Sequence, residues 1–163
     1  MSSNTYAPDY GAAMVSFMSQ RTAEIHAGFV LPYLKPGWRV LDAGCGPGTI
    51  TLGLARKVAP GQVVGIDIVE GSQFSDARER ARCEGLNVEF RKASVYELPF
   101  EDGSFDAVFS HALLEHLSAP AAAILELRRV LKPGGLIGLR AGDWVDFSLM
   151  QHRKDRLKHL APT

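Results

Sequence analysis

The sequence predicts an α/β fold: a mainly parallel sheet with helices on both faces, a three-layer α/β/α sandwich. Three observations carry this. Five short apolar segments rich in strand formers, WRVLDA, QVVGID, NVEFRK, SFDAVFS and LIGLRA, recur between residues 38 and 141. Each follows a turn signal, in order Pro36-Gly37, Pro60-Gly61, Glu84-Gly85, Asp102-Gly103 and Pro133-Gly134-Gly135, residue pairs that punctuate a chain through fixed or positive φ. Helix-like stretches lie between them at 49–59, 73–83 and 119–131. Strands that alternate with helices need crossover connections, and crossovers cover both faces of a parallel sheet.

Residues 1–30 read as a helical lead-in. Met14, Val15, Phe17, Met18, Ile25, Phe29 and Val30 supply apolar faces, interrupted by Gln20-Arg21. Such a helix packs on the sheet, or Tyr6, Tyr10 and Met14 line a lid over a site.

The next segment, VLDA, is an apolar run reaching Asp42 and reads as a buried parallel strand. It breaks into Gly44, Cys45, Gly46, Pro47 and Gly48 and then into TITLGLARKVA. Glycines there let backbone N–H groups approach a ligand closely, and the following helix offers its positive N-terminal end. The second strand-like run ends at Asp67. A carboxylate at that tip, beside the glycine loop, can accept both hydroxyl hydrogens of a ribose. The two features describe a pocket for a nucleoside-bearing cofactor. A dinucleotide site wants G-x-G-x-x-G; here the spacing from Gly44 is G-x-G-x-G, and position 49 is threonine.

In the last helical stretch Ile124, Leu125, Leu127, Val130 and Leu131 fall on one expected stripe, with Glu126, Arg128 and Arg129 on the rest of the turn. Ligands of such sheets bind outside the carboxyl ends of the strands, where strand order reverses. Asp42, Gly44, Asp67, Ser94, His111 and Asp143 all lie at or just past expected carboxyl ends.

The chain has 163 residues, enough for one domain. Eighteen basic residues balance eighteen acidic ones, so no global field favours nucleic acid. Cys45 and Cys83 are its two cysteines, without metal-type spacing, which suggests a reduced, cytoplasmic protein. No stretch is apolar for long enough to suggest a membrane span. His111, Glu115 and His116 depart from H-E-x-x-H spacing, so no metal site is expected. Cys45 has no paired base that would make it a nucleophile.

Several ordered motifs extend the pattern: D-x-G-x-G-x-G with its later acid, then ASVYELPFEDGSFDAVFSHALLEHL at 93–117 and RRVLKPGGLIGLR at 128–140. Over roughly residues 21–144 the chain resembles the class I S-adenosylmethionine-dependent methyltransferases, in particular the small-molecule enzymes of ubiquinone and menaquinone biosynthesis. The resemblance implies a Rossmann-like domain over residues 31–144, preceded by the lead-in at 1–30 and followed by a short tail at 145–163. It implies S-adenosyl-L-methionine as cofactor and a small-molecule methyl acceptor. Asp42 and the loop of Gly44, Cys45, Gly46 and Gly48 would hold the methionine part. Asp67 would grip the ribose, Ile68 would pack on the adenine, and Ser94 and Val95 would meet the adenine edge. Many relatives carry Gly-Asp where this chain has Ala93-Ser94, so a carboxylate contact is replaced by a hydroxyl or by the backbone at Val95. His111 would face the methyl end. If the acceptor needs a general base, His111 and Asp143 are the candidates; a histidine after a strand also caps helices, and an aspartate there also closes turns.

The family fold has seven strands, and five are expected here. Segment 153–158 carries four basic residues against Asp155 and reads as a solvated surface. The fifth strand would stand at the sheet edge with unpaired backbone groups, to be covered by the tail or by a second copy of the chain, or left bare in a truncated chain. Such a chain would retain cofactor binding better than turnover, and a non-catalytic cofactor-binding module is the alternative reading.

Overall fold

The computed structural model describes residues 11–142. Five strands, β1 (Arg39–Ala43), β2 (Gln62–Asp67), β3 (Val88–Lys92), β4 (Phe105–His111) and β5 (Leu131–Arg140), form one sheet in the order β3-β2-β1-β4-β5. Every neighbouring pair is parallel. The order reverses at β1, which lies between β2 and β4, so the crevice at the carboxyl ends of β1 and β4 is the place for a ligand.

Period-two alternation sends successive side chains of β1 to opposite faces, and each face has its own core. Val40, with Val63 and Phe109, packs under Ala23, Ala27 and Val30 and under Leu54 and Val58. Leu41, with Val64, Ile66 and Val108, packs against Leu127 and Val130. The first group comes from α2 (Ala23–His26) and its continuation, and from α3 (Thr49–Val58); the second comes from α5 (Pro120–Val130). β1 is buried from Val40 to Ala43, and of those residues only Asp42 is polar, in keeping with a central parallel strand covered on both faces. α2 lies directly on α3 at Gly53, where an added Cβ would sit 2.4 Å from the Ala23 Cβ.

The lead-in is two helices within the described residues, α1 (Ala12–Met18) and α2, the latter capped by the Thr22 side chain accepting from the Ile25 N–H. α4 (Ser72–Cys83) covers β3 through Phe74, Ala77 and Phe90.

Two expectations need correction. The buried stripe of α5 is Ala123, Leu127 and Val130, spaced i, i+4, i+7, while Ile124 and Leu125 are 37% and 65% exposed; at 3.6 residues per turn they lie about 90° and 190° around the helix from the centre of that stripe. Leu131 leaves the helix altogether. It opens β5 opposite Phe105, and the register then shifts so that Ala107 meets Leu136. Residues 132–135 form this irregularity, with Gly134 at a φ of 77°.

Among the described residues β5 pairs with β4 alone and is the sheet edge, with Ile137 39% exposed. Among the described residues no helix is long and apolar enough to cross a membrane.

Candidate functional site

The loop after β1 turns three times through left-handed backbone, at Gly44 (φ 77°), Gly46 (φ 52°) and Gly48 (φ 77°), a region that side chains other than glycine enter at a cost. The path bends β1 into α3 and keeps the loop close to its neighbours. Gly44 and Cys45 both donate to the Ile66 carbonyl at 2.9 Å. Gly48 has no room for a side chain, since a Cβ would meet the Phe90 ring at 2.6 Å and Ala77 at 3.0 Å. Leu113 closes over Gly44 and Met18 approaches Gly46.

Two carboxylates flank this loop, both buried. Asp42 accepts the Thr51 hydroxyl at 2.6 Å. Its pKa is pushed up to about 7 by burial; the Thr51 bond works against this and the nearby Asp67 adds to it. Near neutrality Asp42 therefore sits at its titration midpoint, ready to ionise when a cation arrives. The Asp67 carboxylate accepts the Gly46 N–H at 2.9 Å and the Val69 N–H at 3.1 Å, which fixes its orientation. Cys45 is buried beside Gly65 and Phe90. Burial first, then the charges of Asp42 and Asp67, push its thiol well above its ordinary value, so it remains neutral and is no nucleophile.

A cleft opens at the carboxyl ends of β1 and β4, lined among others by Met18, Arg21, Asp42, Gly46, Thr49 and His111. His111 ends β4, is buried, and meets the ring of His26 edge-on with centroids 5.0 Å apart. Ala112, next along the cleft, holds a φ of 54°; a strained non-glycine backbone of this kind is held in place by its surroundings, here by its N–H donating to the Arg140 carbonyl.

On the other side of Asp67, Ile68 is 46% exposed, an apolar surface at the strand tip. The Ala93 N–H donates to the Asp67 carbonyl at 2.9 Å, which brings Ser94 and Val95 alongside. The Ser94 hydroxyl accepts the Tyr96 N–H and closes a turn. The Val95 side chain belongs to the core.

The structure thus gathers Asp42, Gly44, Cys45, Gly46, Gly48, Asp67, Ile68, Ser94, Val95 and His111 around one end of the sheet. Met14 is half-buried on α1, but Met18, one turn later, is the α1 residue on the cleft. Tyr6, Tyr10 and Asp143 lie outside the described residues. His111 and Glu115 share no helix: His111 ends a strand, and Glu115 sits in the 3-10 turn Leu114–His116, where it accepts the Gly142 N–H. Among the described residues no cluster of histidine, cysteine and carboxylate side chains is arranged to hold a metal. Sequence reasoning missed Arg21 and Thr51. Arg21 was an interruption in an apolar helix, the one signal that it had somewhere polar to go.

The residues 41–139 match the family model described as a methyltransferase domain. The chain belongs to the class I S-adenosylmethionine-dependent methyltransferase family. An uncharacterised methyltransferase of Schizosaccharomyces pombe is 44% identical over 132 residues, which cover 76% of this chain and 46% of that protein. A ubiquinone biosynthesis O-methyltransferase of Hahella chejuensis is 43% identical over 100 residues, 61% of this chain and 41% of that one. Among solved structures, an S-adenosylmethionine-dependent methyltransferase of Aquifex aeolicus superposes with a TM-score of 0.61 at 31% identity, over 73% of this chain and 68% of that one. The methyltransferase chain spans about half the length, or less, of the curated relatives it matches.

Proposed function

We propose that this chain binds S-adenosyl-L-methionine in the cleft between β1 and β4 and transfers its methyl group to a small molecule. The observation that carries the reading is the pairing of Asp67 with the glycine loop: a buried strand-tip carboxylate held by Gly46, beside three left-handed glycines and an exposed apolar Ile68. The cleft fits the cofactor chemically. Asp42 offers an anion to the methionine ammonium, and Arg21 offers a cation to its carboxylate. Asp67 is proposed to take the ribose hydroxyls, Ile68 to offer a face to adenine, and the Val95 backbone to meet the adenine edge.

The bound cofactor supplies a methyl group already activated on a sulfonium. The chain's own task is then alignment of the acceptor with that methyl and exclusion of water. His111 lines the cleft and is the described residue proposed to face the methyl end and take a proton from a hydroxyl or acidic carbon; Asp143 is proposed as the second candidate. The name of the Hahella relative suggests a phenolic or quinol-like acceptor.

Incubation of the chain with methyl-labelled S-adenosylmethionine and a panel of hydroxylated aromatics tests this. The reading expects label in an acceptor and stoichiometric S-adenosylhomocysteine. Tight cofactor binding with no label transferred to any acceptor would favour a second reading, a cofactor-binding module.

A further inference from the structure

We propose that the side-chain amide of Gln73 is a second anchor for the nucleoside half of the cofactor, donating a hydrogen bond to an acceptor atom of the purine or ribose beside Asp67. The inference rests on the adenosyl reading of the cleft and adds a residue to it. Gln73 stands in the first turn of α4 and is 8% exposed. Its Nε2 is buried with no hydrogen-bond partner among the described residues. A buried amide donor is nearly always satisfied, and one left open is a standing cost that an arriving acceptor removes.

The position of the amide says which ligand is at hand. Gln73 and Ala77 are four residues apart, so they share a face of α4. Ala77 on that face lies 3.0 Å from where a side chain at Gly48 would begin; the face therefore looks onto the glycine loop. β2 ends at Asp67 and α4 starts at Ser72, so the Asp67 carboxylate and the Gln73 amide approach the same loop from one short connection. The Nε2 is the group left to be satisfied, and the first turn of α4 holds no acidic residue to compete for it. An amide donor suits the ring nitrogens of a purine or the oxygens of a ribose, while Asp67 serves the hydroxyl hydrogens. Gly71 is extended, at a φ of −157°, so its backbone does not require glycine. A side chain there would begin 2.6 Å from the Gln73 Oε1, so the glycine leaves the amide its place.

Two variants of the full chain, Gln73→Met and Gly71→Ala, test the assignment. The first removes the amide at similar volume; the second displaces it while leaving it intact. Titration calorimetry is run with S-adenosylhomocysteine and with methylthioadenosine, which keeps the nucleoside and lacks the amino acid. Gln73→Met is expected to weaken both ligands by about tenfold and by the same factor. The free protein's melting temperature should stay level or rise, because no bond is lost. Gly71→Ala should weaken both ligands in the same direction. Unchanged affinity in both variants, or a loss confined to S-adenosylhomocysteine, overturns the proposal while leaving the cofactor reading intact. A wild-type chain that binds neither ligand overturns both.

Discussion

The Gly46 N–H donates to the Asp67 Oδ2 at 2.9 Å, joining the glycine loop after β1 to the tip of β2 across twenty-one residues of sequence. The bond explains why the two motifs act as one. It fixes the carboxylate against the loop at the tip of β2. Asp67→Ala should weaken S-adenosylhomocysteine by about 1–3 kcal/mol, the scale of leaving polar groups unpaired. It should also cost the free protein stability, since the Gly46 and Val69 N–H groups lose their acceptor. Calorimetry and urea melts on one preparation separate the two losses.

Asp42 links cofactor affinity to pH. Its carboxyl is raised from 3.8 to about 7 by burial. A carboxylate whose folded pKa is raised costs stability as pH climbs from the unfolded value through the folded one. Below about pH 4 the cost is absent; above about pH 7 it is complete. Asp42→Asn should therefore stabilise the free protein by an amount that grows across that window to about 2–4 kcal/mol, read as urea midpoints at pH 4, 5.5 and 7.5. The cationic methionine end favours ionised Asp42, so wild-type affinity should rise with pH up to about 7. Binding near pH 6 should release a proton, measurable in buffers of different ionisation enthalpy. The variant should bind more weakly and lose both effects.

Gly48→Ala should be costly for two separate reasons. The residue would occupy left-handed backbone, worth about 1–2 kcal/mol. Its Cβ would also press on Phe90 and Ala77, where overpacking costs about 1–3 kcal/mol. A fall of roughly 5–15 °C in Tm is expected for a domain of this size. Gly44→Ala meets only the flexible Leu113 side chain and should fall less in the same thermal scan.

Arg21→Met should weaken S-adenosylhomocysteine and leave methylthioadenosine unchanged, because only the former carries the carboxylate. A loss of about 1–3 kcal/mol is the scale for a hydrogen bond to a charged group. Equal weakening of both ligands would place Arg21 in a structural role.

Much of this site was legible in the residues. The run from Leu41 to Asp42, the glycines at 44, 46 and 48 and the acid at Asp67 are local patterns with local consequences, and the sheet assembles them as their spacing implies. The α5 stripe was misassigned because Ile124 and Leu125 are apolar but exposed, and hydropathy alone does not orient a helix. Arg21, Thr51 and Gln73 were not legible for another reason. Each acquires its meaning from a contact across the fold: Arg21 from the approach of the lead-in to the β1 loop, Thr51 from Asp42 on β1 across the glycine loop, and Gln73 from the docking of α4 on β3. No periodicity encodes those contacts. The edge position of β5 was expected from the five strands, and among the described residues β5 pairs with β4 alone.

The most direct measurement is calorimetric titration of the wild-type chain with S-adenosylhomocysteine at pH 6 and pH 8. The account predicts one site per chain, tighter at pH 8, with proton release at pH 6. Absence of binding at both pH values in folded protein would contradict it.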